Sequence, residues 1–430
     1  MRSGRSAHTP RTVTVAYLSA SGIFALAMSL IWATNTIYLM RVGGLDIFQV
    51  MLVNTAFTVS QLLCEVPTGV VADTIGRRAS ILIAMGMLFV STLLYVATPV
   101  MGWGMTGFVG ASILLGVGYT FQTGSVEAWL VDALDGTGST VPKEQVFARG
   151  QIAFGVGMLS GSIIGGLLGQ VDLAWPFLLR AVLLVVEFGV VWALVFDIGF
   201  DKRPLTAANF GVETRRILAT GVRYGMKNRV VRPLFLVSGL SGLFFMFAFY
   251  AWQPYVLELL GYDYVWVLGL AQAAFSVAGI AGNSLVGRLM RDGVNRRDPA
   301  RFCAVAALAE FVIAVAIAGV GLLAAESGVV PAAIALGLWV AWGGVFGVYG
   351  PVRAAYLNAH IPSSERATVL SVDALFADVG GAVGQPALGY VSHRASISVA
   401  WLIGSLGLAA SAPLYLASGR AAAQAEATPD

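Results

Sequence analysis

The sequence predicts an all-α membrane protein of twelve transmembrane helices arranged as two pseudo-symmetric six-helix bundles, and three observations carry that expectation. Of 430 residues, 57% are hydrophobic and 11% charged, against about 25% charged in a soluble domain. Mean hydropathy is +0.80, and a soluble fold would have too few charges to cover its surface. Apolar runs of about 20 residues, the length that crosses a bilayer, recur along the chain. Finally, the basic residues collect at alternate ends of those runs.

Six spans are expected near 13–39, 47–71, 79–99, 104–131, 148–169 and 175–198. Six more are expected near 233–259, 264–287, 302–324, 331–356, 367–391 and 396–418. The organisation that follows is an N-terminal bundle, 1–199, a cytoplasmic linker, 200–232, a C-terminal bundle, 233–419, and a disordered cytoplasmic tail, 420–430. The run from Val13 to Leu39 is too long for a signal peptide and reads as the first span. With the N-terminus in the cytoplasm, all of the 26 Lys and Arg except Arg41, Arg180 and Arg394 fall on the cytoplasmic side. That asymmetry obeys the positive-inside rule and puts both termini inside the cell membrane. Trp103, Trp175, Trp266 and Trp401 fall at span ends, where interfacial anchoring is expected.

The linker interleaves Arg215, Arg216, Arg223, Lys227, Arg229 and Arg232 with Val212, Ile217, Leu218, Val222 and Met226. It reads either as a basic amphipathic helix on the inner leaflet or as a solvated connection. The halves show internal symmetry. Span 5 runs from Ser160 to Gly169 as SGSIIGGLLG, and span 11 from Gly380 to Gly389 as GGAVGQPALG. Related halves joined by a cytoplasmic linker are a signature of transporters.

Several functions are excluded by what is missing. None of the three lysines follows a glycine, so there is no P-loop for ATP-driven pumping. Two cysteines, Cys64 and Cys303, and three histidines, His8, His360 and His393, give neither a disulfide framework nor a Cys- or His-rich metal site. No enzyme motif is present, and no cofactor or nucleic-acid partner is expected. A net charge of +3 does not describe a polyanion binder.

The most specific local signal is Glu65-Val-Pro-Thr-Gly69-Val-Val-Ala-Asp73-Thr-Ile-Gly76-Arg77-Arg78, between spans 2 and 3. Gly76 suits a tight turn, Gly69 lets a second helix approach, and Asp73 at the membrane edge favours a helix N-terminus. This stretch resembles the Gly-x-x-x-Asp-x-x-Gly-Arg-Arg loop of the major facilitator superfamily, and span count, half-repeats and central loop resemble that family over the whole chain. The resemblance implies a cytoplasmic latch. In it, Asp73 faces the start of span 11 and Arg77 pairs with an acid ending span 4, here Asp132. Span 5 carries Gly157, Gly161, Ser162, Gly165 and Gly166, similar to the motif Gly-x-x-x-Gly-Pro-x-x-Gly-Gly of members that exchange drugs for protons. Ser162 stands where proline is usual, and small-residue faces also serve ordinary helix packing. The arginine often found in span 4 of such members would fall near Ser112.

Intramembrane acids are functional candidates by default. Glu187, Glu310 and Asp378 lie deepest and are the candidates for proton coupling, with Asp378 and Glu310 foremost. Glu65, Glu127 and Asp373 lie nearer the cytoplasmic ends. With Arg149, Arg353 and Arg366 they can pair either as an inner gate or as plain structural ion pairs. In the family, spans 1, 4, 7 and 10 line the path, which points to Trp32, Asn35, Tyr38, Tyr119, Gln122, Trp252, Gln253 and Trp342 as cavity residues. A mostly apolar aromatic pocket suits amphipathic organic solutes. The expected function is therefore a monomeric secondary transporter in the lipid bilayer, exporting an amphipathic compound or drug against protons. Uptake of a sugar or small metabolite is the alternative.

Overall fold

The computed structural model describes residues 9–200, 222–291, 298–324, 326–363 and 365–427. Among these the long elements are all helices: α1 (Pro10–Trp32), α2 (Asn35–Arg41), α3 (Ile47–Ile75), α4 (Arg77–Met101), α5 (Gly104–Gly136), α6 (Lys143–Val171), α7 (Trp175–Leu194), α8 (Val231–Leu260), α9 (Trp266–Leu289), α10 (Pro299–Leu323), α11 (Val329–Ala359), α12 (Arg366–Arg394) and α13 (Ile397–Ala427). Most of the expected linker helix, including Arg215 and Arg216, lies outside the described residues.

Among the described residues eleven helices, α1, α3 to α11 and α13, are long and apolar enough to cross a membrane. The remaining expected span is α12, 29 residues long. Its length suffices, but Asp373, Asp378 and Gln385 lower its hydropathy. The first expected span is two pieces: α1 ends at Trp32 and α2 begins at Asn35. The expected disordered tail is corrected in part, because α13 runs on to Ala427. Residues 420–427 are mostly Ala with Gln and Glu, which are strong helix formers.

Helix starts are encoded locally. Thr9 accepts from the backbone N–H of Thr12 at 3.2 Å ahead of Pro10, and Asp298 accepts from that of Arg301 at 2.8 Å ahead of Pro299. Asp46 and Gln49 form a reciprocal capping box before α3, at 2.9 and 3.1 Å.

Backbone packing divides the chain into two compact units. Unit 1 contains residues 1–45, 56–209 and 265–273, and unit 2 contains residues 46–55, 210–264 and 274–430. In unit 1, α1 packs on α5, α6 and α7, α4 packs on α5 and α7, and α6 packs on α7. In unit 2, α8 packs on α11, α12 and α13, α10 packs on α11 and α13, and α12 packs on α13. The scheme is the same in each unit, displaced by six spans.

The glycine stripes set these seams. A Cβ on Gly157 would come within 2.5 Å of the Gly22 carbonyl oxygen, and one on Gly161 within 2.5 Å of that of Leu26. Gly165 is closed off in the same way by Leu30. Ser29 of α1 also donates to the Gly157 carbonyl at 3.2 Å. In unit 2, Gly380 meets Gly239, Gly384 meets Leu243, and Gly242 meets Ala377. Without a hydrophobic drive between helices in lipid, such backbone approach is a main source of association.

Large apolar side chains such as Val182, Val312 and Val383 remain exposed on the helices, as a lipid-facing surface requires. Trp103, Trp175 and Trp266 are exposed at helix ends. Trp401 is a correction: it is fully buried, one turn inside α13, with its ring 5.6 Å from those of Phe244 and Trp342.

Candidate functional site

Unit 1 holds a half-open cavity of about 470 Å³ between α1, α5 and α6, within the range of small-molecule sites. From α1 come Tyr17, Ser21 and Phe24, spaced four and three residues apart and so on one face. From α5 come Tyr119, Gln122, Thr123, Val126 and Glu127. From α6 come Gly150, Gln151 and Phe154. A Cβ on Gly150 would strike the Tyr17 ring, so the glycine is what lets that ring lie against α6. Tyr119 packs between Phe24 and Phe57, with centroids at 5.9 and 6.1 Å. The Gln122 side chain is buried, and its carbonyl oxygen has no hydrogen-bond partner among the described residues. Among the described residues Glu127 is the one acid of the lining, and its side chain is exposed.

Two charges are sealed inside the same unit on α7. Arg180 and Glu187 both have 0% exposure. They are two turns apart on one face, about 10 Å along the axis. Arg180 reaches Met28 Sδ at 3.5 Å, while its Nε and Nη1 have no partner among the described residues. Neither carboxylate oxygen of Glu187 has one. The charge count assigned Arg180 to an outer span end. It lies five residues inside α7, where Tyr95 and Tyr119 are in electrostatic reach. Ser112, the position where the family's span-4 arginine would fall, hydrogen-bonds that same Tyr95. The buried cation of this region thus comes from α7.

In unit 2, Glu310 is 5% exposed and lies beside the Trp342 indole. Trp342 belongs to an aromatic cluster: Trp252 stacks on Trp339 at 5.0 Å, and Phe244 on Trp342 at 5.6 Å. Asp378 is half-buried. Arg353 forks onto Asp373 at 2.8 and 2.9 Å and also bonds Ser238. This ties α8, α11 and α12 within one unit.

The turn between α3 and α4 gathers Asp73, Gly76, Arg77 and Asp132, and one further residue joins them. Gly76 has φ 114°, a backbone open to glycine and strained for other residues. Arg77 pairs with Asp73 at 2.7 Å and approaches Asp132 at 3.9 Å. The addition is Asp197, just after α7. It accepts from the backbone N–H of Arg78 at 2.9 Å, capping α4 from across the unit, and it occupies the space a Cβ on Gly76 would need. The Arg78 guanidinium donates to the Trp192 carbonyl at 2.7 Å and sits 4.8 Å over the Trp192 ring.

The structure gathers some of the expected residues and separates others. Tyr119 and Gln122 line the unit 1 cavity. Tyr38 is instead buried in an aromatic cluster, with its ring 4.4 Å from that of Phe177 and its hydroxyl on the Tyr95 carbonyl at 3.1 Å. Trp32 and Asn35 flank the break between α1 and α2. Trp252, Gln253 and Trp342 are buried in unit 2. Among the described residues nothing stands within 4 Å of a Cβ built on Gly69, so the close approach expected there is not made. Arg149 and Arg366 are exposed. The motif of α6 has two faces: Gly157, Gly161 and Gly165 meet α1, while Ser162 and Gly166 meet Gly269 of α9. Sequence reasoning missed Tyr17, Ser21 and Phe24, although their spacing was visible, and it missed Asp197.

The two units repeat one packing scheme, and the first holds a solute-sized cavity. The chain belongs to the Major Facilitator Superfamily, which it matches over residues 17–310. It is 33% identical over 128 residues to the class C tetracycline resistance protein of Escherichia coli, covering 30% of each chain. It is 25% identical over 249 residues to an uncharacterized transporter of the same superfamily, YxaM of Bacillus subtilis (strain 168), covering 56% of this chain and 58% of that one. The matched stretches thus span less than two thirds of either relative. Among solved structures, the nucleoside transporter NupG superimposes with a TM-score of 0.76 at 12% identity, covering 94% of this chain and 98% of that one. A D-xylose–proton symporter superimposes at 0.66 with 15% identity, covering 94% and 96%. At such identities the likeness is one of fold.

Proposed function

We propose that this transporter exports amphipathic organic compounds in exchange for protons, by alternating access of its two six-helix bundles, 1–199 and 233–419. The observation that carries the reading is the combination, within unit 1, of an aromatic cavity of about 470 Å³ with Glu187 of α7, enclosed and without a hydrogen-bond partner among the described residues. Enclosed acids of this kind mark proton relays in transporters, and Glu310 adds a second one in unit 2. The stretch shared with a tetracycline resistance protein supports export over uptake. The distribution of basic residues supports cytoplasmic termini in the cell membrane. The latch role of Asp73, Arg77 and Asp132 is part of this reading and is supported by their pairing around one turn.

The test is transport in proteoliposomes with and without an imposed pH gradient. Gradient-driven accumulation of a fluorescent amphipath, lost in Glu310→Gln or Glu187→Gln, is the expected result. Flux that ignores the gradient overturns the exchange reading. Gradient-independent passage of a sugar in its place favours an uptake carrier.

A further inference from the structure

The cavity of unit 1 is one-sided in charge. Its charged group is the Glu127 carboxylate, exposed to the cavity, and near it in the lining the Gln122 carbonyl oxygen is buried at 4% exposure and without a partner among the described residues; Ser21, Thr123, Gln151 and the two tyrosine hydroxyls add neutral groups that donate or accept. Its apolar lining offers π faces, from Tyr17, Phe24, Tyr119 and Phe154. Among the described residues no Lys, Arg or His belongs to the lining. Among the described residues no ion pair is recorded for Glu127, and Arg149, on the next helix, is exposed. A carboxylate among aromatic rings attracts a cation through its charge and through the ring quadrupoles together, most strongly once water is displaced. An acceptor without a donor adds a preference for N–H groups.

We infer that this cavity binds lipophilic organic cations, with Glu127 as the counter-charge and the four rings as the enclosing surface. The inference rests on the export reading for treating the cavity as a substrate site, and it narrows the cargo to positively charged amphipaths. The carboxylate is solvated when the cavity is empty, so it carries little desolvation cost before the ligand arrives. The rings are held by packing, Tyr119 against Phe24 and Phe57, and Tyr17 against Phe147, so little freedom is lost on binding. One charge lies nearby outside the lining: the buried Arg180, which interacts with Tyr119. If Arg180 governed the potential of the cavity, anions would be preferred instead.

The probes are therefore tetraphenylphosphonium and its anionic isostere tetraphenylborate, bound to the purified full chain in lipid nanodiscs. Saturable binding of the cation is expected, weakened about tenfold by Glu127→Gln and only a few-fold by Glu127→Asp, with thermal stability unchanged in both. Tyr119→Leu is expected to weaken binding further than Tyr119→Phe. Unaltered cation affinity in Glu127→Gln overturns the inference, and so does tighter binding of the borate. If neither ion binds while a neutral amphipath is still driven by a pH gradient, the cargo class is wrong and the export reading stands. If that flux is absent too, both fall.

Discussion

Asp197 accepts a 2.9 Å hydrogen bond from the backbone N–H of Arg78, although 119 residues separate them. The segment after α7 is in this way fastened to the first turn of α4, at the point where Arg77 bridges Asp73 and Asp132. The turn is held from both sides: by its own ion pairs and by a carboxylate supplied from the other end of the unit.

Asp197→Ala is therefore expected to lower stability by about 1 kcal/mol, the usual worth of a helix N-cap. Gly76→Ala should cost more, about 1–3 kcal/mol, because it combines positive-φ strain with a clash against the Asp197 carboxylate. Thermal melts in one detergent would measure both. A Gly76→Ala protein as stable as wild type would contradict the packing described for this turn.

The seam of α1 and α6 makes a sharper contrast on a single helix. A Cβ on Gly161 would lie 2.5 Å from the Leu26 carbonyl oxygen, whereas one on Gly155 meets nothing within 4 Å. Gly161→Ala should destabilise by about 1–3 kcal/mol, the range for overpacking. Gly155→Ala should be neutral or slightly stabilising through helix propensity. Folded yield and melting temperature of the pair, read side by side, test whether this stripe is a packing surface.

Arg353 and Asp373 are 16% and 11% exposed at the side chain. Removing one partner of a buried pair strands the other charge, at a cost of about 3–5 kcal/mol. Asp373→Asn is expected to lose much of the stability of unit 2. The double substitution Arg353→Met, Asp373→Leu should recover most of it, because no bare charge remains. A double variant no better than Asp373→Asn would show that the pair acts in something other than charge compensation.

For coupling, Glu310→Gln and Glu187→Gln are each expected to reduce gradient-driven flux at least tenfold, about 1.4 kcal/mol or more. Asp378→Asn should do less, since Asp378 is half-buried. A stronger effect at Asp378 would move the proton pathway to α12. Initial rates at matched protein density decide the order.

Much of this architecture was legible because its causes are local or periodic. Span length, basic flanks and the Gly76-Arg77-Arg78 turn are written in contiguous residues, and the glycines of α6 and α12 recur on a helical face. What was illegible depended on long-range partners or on depth. Asp197 has no neighbour in sequence that reveals its role as a cap. Arg180 and Trp401 lie near the ends of apolar runs, where a shift of four or five residues separates an anchor from a core side chain. The break at Ala33 and Thr34 has no proline or glycine to mark it, so the sequence reads as one continuous span carrying Trp32, Asn35 and Tyr38. The cavity instead takes Tyr17, Ser21 and Phe24 from the same helix. Glu127 was seen as an acid near a helix end, but its aromatic surroundings come from three helices.

The sealed charges of α7 carry a consequence for biogenesis. Each charged residue near a span centre costs about 2.5–3.5 kcal/mol to hand to lipid, and α7 brings Arg180 and Glu187 together in 20 residues. The other eighteen are almost wholly apolar, enough to carry the segment into the bilayer, yet α7 is covered by protein where α1, α4 and α6 already stand. The translocon thus receives α7 last among the helices of the first half, with a shelter for its guanidinium already assembled. A nascent chain lacking α1 or α4 is expected to leave α7 partly uninserted in a glycosylation-mapping assay.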